Sequence, residues 1–151
     1  MVEDEVLLDS EALQAFLTEL FQNSGLSAED AIFTAQKLVE SNLWGIDSHG
    51  VIRVPIYLRR LRSRAVNPNP KIHSISSQDS SALEILDGDN GLGFIVGREA
   101  MKRVIQLAAR FNVGVVGVIR SNHFGVAGIY TRMASDQGMI GIAMTNAAPF
   151  M

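Results

Sequence analysis

The 151-residue chain contains no cysteine. Disulfides, thiolate nucleophiles and Cys-type zinc sites are therefore excluded. No uninterrupted apolar segment approaches the ~18 residues that a membrane-spanning helix needs. No run of Lys and Arg occurs either. The formal net charge is −3, from 13 Lys and Arg against 16 Asp and Glu, which argues against a nucleic-acid surface. The densest basic stretch, Arg59, Arg60, Arg62 and Arg64, reads as a solvated helix end, with phosphate binding as the alternative. The first residues, Met1-Val2-Glu3-Asp4-Glu5, are acidic and lack the basic and apolar regions of a secretory signal. The resulting expectation is a cytoplasmic protein with neither nucleic acid nor membrane as a partner.

What is present is ordinary for a globular chain, with 47% hydrophobic and 19% charged residues, and its length is enough to bury a core. Asp9 or Ser10 caps a first helix carrying Leu13, Phe16, Leu17, Leu20 and Phe21 on one stripe. Gly25 suits the left-handed position that ends it. Ser27, with Asp30 three residues on, opens a second helix with Ala31, Ala35, Leu38 and Val39 inward. Gly45 to Gly50 breaks the pattern. A third helix is expected from about Ile52 to Arg64, with Pro55 in its first turn and Tyr57, Leu58 and Leu61 on one side. Asn67-Pro68-Asn69-Pro70 is a rigid connector.

Beyond it, Ile72–Ser76 and Ala82–Leu86 read as strands, and Asp87 to Gly93 as a turn-rich loop. A helix follows from Phe94 to Phe111, with Ala100, Val104, Leu107 and Ala108 inward. Val113–Ile119 reads as a strand covered on both faces. A helix with Val126, Ile129, Tyr130 and Met133 on one stripe and a strand over Met139–Met144 complete a βαβ-type unit. The fold class is therefore α/β, with a helical subdomain over residues 1–66 and the start of an α/β domain over 67–151.

Two of the three histidines lie in glycine-flanked loops, Ser48-His49-Gly50 and Ser121-Asn122-His123-Phe124-Gly125. Histidine titrates near neutral pH and is the commonest general acid or base. Arg53 follows His49 by four residues, so on a helical turn both share one face, and its planar guanidinium is the preferred partner of a carboxylate. The same pattern also fits a helix start with an exposed His and Arg. His123 follows an apolar strand, where ligands bind in open α/β sheets, and the Gly125 amide could hold an anion. It equally fits a histidine whose ring fills a turn. His73, in a strand-like stretch, reads as outward-facing. Gly91-Leu92-Gly93-Phe94-Ile95-Val96-Gly97 suggests a dinucleotide loop, but the fingerprint needs glycine where Val96 stands. A standard Rossmann site is therefore rejected. The histidines lack metal-ligand spacing, so no metal is expected.

The chain resembles the malate/L-lactate/ureidoglycolate dehydrogenase family, the non-Rossmann group that includes diketogulonate and piperideine-carboxylate reductases. The resemblance rests on Ser48-His49-Gly50 with Arg53 and Tyr57, on Asp87 through Gly97, on Ser121 to Gly125, on Tyr130, and on Gly138-Met139-Ile140-Gly141 through Thr145-Asn146. It implies hydride transfer between NAD or NADP and a small 2-hydroxy or 2-oxo acid, in a homodimer. It implies His123 and His49 as acid/base candidates, with His123 slightly favoured. Arg53 would hold the substrate carboxylate, with Ser48 and Tyr57 supporting the pocket. Thr145, Asn146 and, through its backbone, Ala147 would approach the cofactor. Family members are roughly twice as long. They continue into a sheet region with a Gly-Thr-Asn-Pro segment, an active-site aspartate and most cofactor contacts, so the chain is expected to be a truncated, N-terminal part. The alternative is a non-catalytic remnant or a dimerisation module.

Overall fold

The structure, a computed structural model, describes residues 7–76 and 81–146. The fold is α/β, in two compact units that divide between Asn69 and Pro70.

In the first unit, helix α1 spans Ser10–Gln22. Its cap is Asp9, whose carboxylate accepts the Ala12 N–H at 2.8 Å and so satisfies one of the helix's four open donors. Leu17 and Phe21 are buried, while Phe16 is 58% exposed, so the buried stripe is narrower than its spacing implies. Gly25 ends the turn at φ +101°. Helix α2 spans Ala28–Leu43. The Ser27 hydroxyl accepts the Asp30 N–H at 3.2 Å and donates to the Asp30 carboxylate at 2.6 Å. The expected box therefore closes on the cap's hydroxyl. Ala31, Ala35, Leu38 and Val39 are buried as their spacing predicts. Phe21 and Leu38 are fully buried, each contributing about 1.5–3 kcal/mol before chain entropy is counted.

Helix α3 spans Val54–Arg62 and starts two residues later than expected. Pro55 has no N–H to give to the carbonyl four residues back, so α-type bonding cannot begin ahead of it. The preceding residues instead form two 3₁₀ turns, Asp47–His49 and Val51–Arg53. Val54, Tyr57 and Leu61 are buried. Arg59, Arg60 and Arg62 lie exposed in the last turn, where they favour the negative end of the helix dipole.

The second unit contains a three-stranded sheet in the order β1-β2-β3. Strand β1 is short, His73–Ser74, and runs antiparallel to β2, Leu83–Gly91. Strand β2 is parallel to β3, Val115–Ser121, and the two are joined by helix α4, Gly93–Phe111. The βαβ unit is thus β2-α4-β3, two elements earlier than expected. The expected loop over Asp87 to Gly93 is mostly strand. Asp89 and Asn90 adopt φ of +48° and +54°, and Arg120 on β3 adopts +51°. These residues absorb a register shift between Asp87 and Gly91 as a bulge.

Two further expectations are corrected. Strand β3 is not covered on both faces: Val115, Val118 and Ile119 are 52%, 38% and 46% exposed. It is an edge strand, with β2 as its one neighbour among the described residues. Met139 to Met144 forms no strand, and Ile140 and Met144 are 96% and 87% exposed. A β ladder needs a partner, and no described segment pairs with these residues. Within α4 the deepest residues are Phe94, Val96, Ile95 and Met101 near its start, while Val104, Leu107 and Ala108 are only half-buried. Helix α5 spans Gly128–Ser135 and buries Ile129, Tyr130 and Ala134. Among the described residues, no helix is long and apolar enough to cross a membrane.

Candidate functional site

The first histidine loop is organised by Asn42, at the end of α2. Its side-chain oxygen accepts the Val51 N–H at 2.8 Å, and its amide donates to Asp47 at 2.5 Å. One carboxamide therefore ties both 3₁₀ turns to the helix. A Cβ on Gly50 would overlap that carboxamide, which is why glycine follows His49. Ser48 Oγ and His49 Nδ1 lie 2.8 Å apart. Arg53 Nε donates to the Ser48 carbonyl at 2.6 Å. Ser48 thus touches both the His49 ring and the Arg53 guanidinium, across two 3₁₀ turns and not one helical turn. Tyr57 sits one turn on, 4% exposed. Burial pushes its phenol up to about 12, against the opposing pull of the Arg53 and Arg60 charges. It is a neutral hydroxyl at physiological pH.

The second loop lies at the C-terminal end of β3 and is exposed at His123. The residue before the histidine is tethered through its side chain. Asn122 Nδ2 donates to Asn90 O at 3.1 Å, Asn90 Oδ1 at 3.0 Å and Gly91 O at 2.9 Å. The residue after it is tethered through its carbonyl, since Tyr130 Oη donates to Phe124 O at 2.5 Å. The Gly125 N–H points to His123 Nδ1 at 3.4 Å. The sequence had suggested that this amide could hold an anion; in the structure it faces the imidazole nitrogen. This contact favours the neutral tautomer with its proton on Nε2.

The glycine run beside this loop has a structural use that its sequence does not disclose. Gly93, at the start of α4, lies against the backbone of Asn122 and His123, leaving no room for a Cβ. A Cβ on Gly97 would come within 2.6 Å of the Tyr130 ring. These glycines let the histidine loop and the Tyr130 ring pack directly against the start of α4.

Sequence reasoning also missed the pair that joins β2 to β3 below the loop. Arg120 donates from Nε to both oxygens of Asp87, at 2.8 and 2.9 Å, and Nη2 lies 2.7 Å from Oδ2. The Arg120 hydrogen bonds, followed by the Asp89 N–H at 2.8 Å, hold the Asp87 carboxyl below its usual range. Its one legible signal was an acid and a base each directly following an expected strand, 33 residues apart.

The remaining candidates are less built. Thr145 and Asn146 are exposed in irregular chain. Ala147 lies outside the described residues. Among the described residues, no group of three or more His, Asp or Glu could hold a metal.

A family model described as malate/L-lactate dehydrogenase matches residues 8–151. The chain is 41% identical to a malate dehydrogenase of Pyrococcus abyssi over 99% of its own length and 41% of the relative's. It is 39% identical to an L-sulfolactate dehydrogenase of Methanocaldococcus jannaschii over 97% of this chain and 42% of that one. The solved malate dehydrogenase of Pyrococcus horikoshii OT3 superposes with a TM-score of 0.86 at 37% identity, covering 90% of this chain and 38% of that structure. The chain thus spans about two fifths of the length of the relatives it matches.

Proposed function

Since the chain belongs to the malate/L-lactate dehydrogenase family, we propose that it is the N-terminal part of a cytoplasmic oxidoreductase. This enzyme moves a hydride between NAD or NADP and a small 2-hydroxy or 2-oxo acid. The observation that carries the proposal is the exposed, doubly tethered histidine at the end of β3. The substrate class fits the relatives, which are named for malate and sulfolactate, both 2-hydroxy acids.

The roles of this chain's residues follow from their chemistry. In the oxidative direction His123 takes the proton of the substrate hydroxyl, and in the reductive direction it returns that proton to the new alkoxide. His49, paired with Ser48, is the second proton-transfer candidate. Arg53 offers a fork to a substrate carboxylate, with Ser48 and Tyr57 beside it. The backbone from Thr145 to Ala147 is assigned to cofactor approach. When bound, the nicotinamide supplies the hydride acceptor or donor. The assembly inferred is a homodimer.

Exposure along β3 and at Ile140 and Met144 favours one second reading, a non-catalytic interaction or dimerisation module. Fluorescence titration with NADH and NADPH, followed by turnover of 2-oxo acids, separates the two. Binding and turnover by the folded chain support the enzyme. A folded chain that binds neither cofactor, yet self-associates in size-exclusion chromatography, supports the module.

A further inference from the structure

We propose that Tyr130 and Asn122 are positioning residues for His123, acting on it through the peptide groups on either side. The inference rests on the proposed role of His123 in proton transfer. Tyr130 is 2% exposed, and its phenol already donates to Phe124 O at 2.5 Å, with Gly93 O at 3.4 Å. Its ring stacks on Phe124 with centroids 5.0 Å apart and planes 16° from parallel. Gly97 provides the seat for that ring, since a Cβ there would lie 2.6 Å from it. The carbonyl and the ring of Phe124 are thus both held by one side chain.

Asn122 performs the same task on the other flank. Its amide reaches three oxygens on Asn90 and Gly91, at the end of β2. Arg120, just upstream, turns the chain through a left-handed φ of +51° and is locked by Asp87. The histidine therefore sits on a short span whose two ends are fixed to rigid elements, while its own ring stays at the surface. A proton-transfer group displaced by about 1 Å loses on the order of 100-fold in rate, so fixing both flanks bears directly on the ring's aim. The fully buried phenol donates to backbone, and this bond fixes direction, not charge.

The test uses Tyr130→Phe and, separately, Asn122→Ala in the full 151-residue chain. Tyr130→Phe keeps the ring and the stack and removes only the donor. The readout is the pair of imidazole nitrogen shifts of each histidine by ¹⁵N NMR, across pH, without substrate or cofactor. The expected result is that His123 moves toward an unbiased tautomer mixture while His49 and His73 stay fixed. Unchanged His123 shifts in either folded variant overturn the proposal. So do shifts that spread equally to His49 and His73, which would make these residues part of general stability. Because no turnover is needed, failure here is distinct from failure of the enzymatic reading. Where turnover is measured, kcat falls about 10- to 100-fold with KM unchanged.

Discussion

Raising the pH should unlock Tyr57 in a way that can be counted. The side chain is 4% exposed, and its pKa is pushed from 10.0 to about 12, mainly by burial. Folding therefore favours the protonated phenol over the phenolate. A group whose pKa is higher in the folded state contributes stability that is complete below its unfolded value and is lost as pH rises through its folded value. The window here is pH 10 to about 12. Two units correspond to about 2.7 kcal/mol at 1.36 kcal/mol per unit. Tyr57→Phe removes this titration, while the Lys and Arg titrations common to both proteins cancel in the difference. Urea unfolding followed by Trp44 fluorescence gives the stabilities, and tyrosinate absorbance follows the phenol itself. The stability of the native chain relative to Tyr57→Phe should be constant well below pH 10, should fall by about 2.3 kcal/mol by pH 12 and should approach the full 2.7 kcal/mol only above it. A flat difference, or a Tyr57 that ionises at its ordinary value, would refute the argument that burial dominates over Arg53 and Arg60.

Gly93→Ala would place a Cβ within 2.5 Å of the His123 carbonyl carbon. The obstacle is backbone, so relief requires moving the loop, at about 1–3 kcal/mol. Gly117→Ala, whose new Cβ would meet nothing nearer than Ile85 at 3.9 Å, serves as the tolerated control. Equal urea midpoints for the two variants would contradict the packing account. Asp87→Asn should lower stability at neutral pH, because the Arg120 hydrogen bonds hold the native carboxyl below its usual range. A depressed pKa gives stability that is present above the unfolded value and lost as pH falls through the folded one. The gap between native and variant should therefore close in acid below the ordinary carboxylate range, and a gap independent of pH would count against the pair.

The helical half was the more legible in sequence, for local reasons. Asp9 and Ser27 are caps, and Ala31, Ala35, Leu38 and Val39 repeat at helical spacing; each signal acts within a turn or two of itself. The start of α3 shifted by two residues because the influence of Pro55 on hydrogen bonding reaches back four positions. Strand β2 was cut short at Leu86 because Asp87-Gly88-Asp89-Asn90-Gly91 has turn composition. Its left-handed residues are instead accommodated as a bulge opposite Arg120, a partner 33 residues from Asp87. The apolar runs at Val113–Ile119 and Met139–Met144 look like covered strands in any context, since composition records a tendency to be buried and not the presence of a cover. At the site, His49 and His123 stood out by residue type and flanking glycine. The tethers on His123 did not, because Asn122 meets Asn90 and Tyr130 meets Phe124 only after the chain has folded. The Gly91-Leu92-Gly93 run gave no usable signal for its task, because close approach to the loop at Asn122 and His123 is a tertiary property.

The central claim, that His123 moves the proton in a nicotinamide-linked oxidation or reduction of a small 2-hydroxy or 2-oxo acid, is tested most directly by steady-state kinetics of His123→Ala. NADH and NADPH oxidation would be followed with oxaloacetate, pyruvate and the 2-oxo counterpart of sulfolactate. The account predicts a fall in kcat of about 10²- to 10⁴-fold, with thermal stability retained, because the side chain is exposed. Turnover by His123→Ala equal to that of the native chain would contradict it.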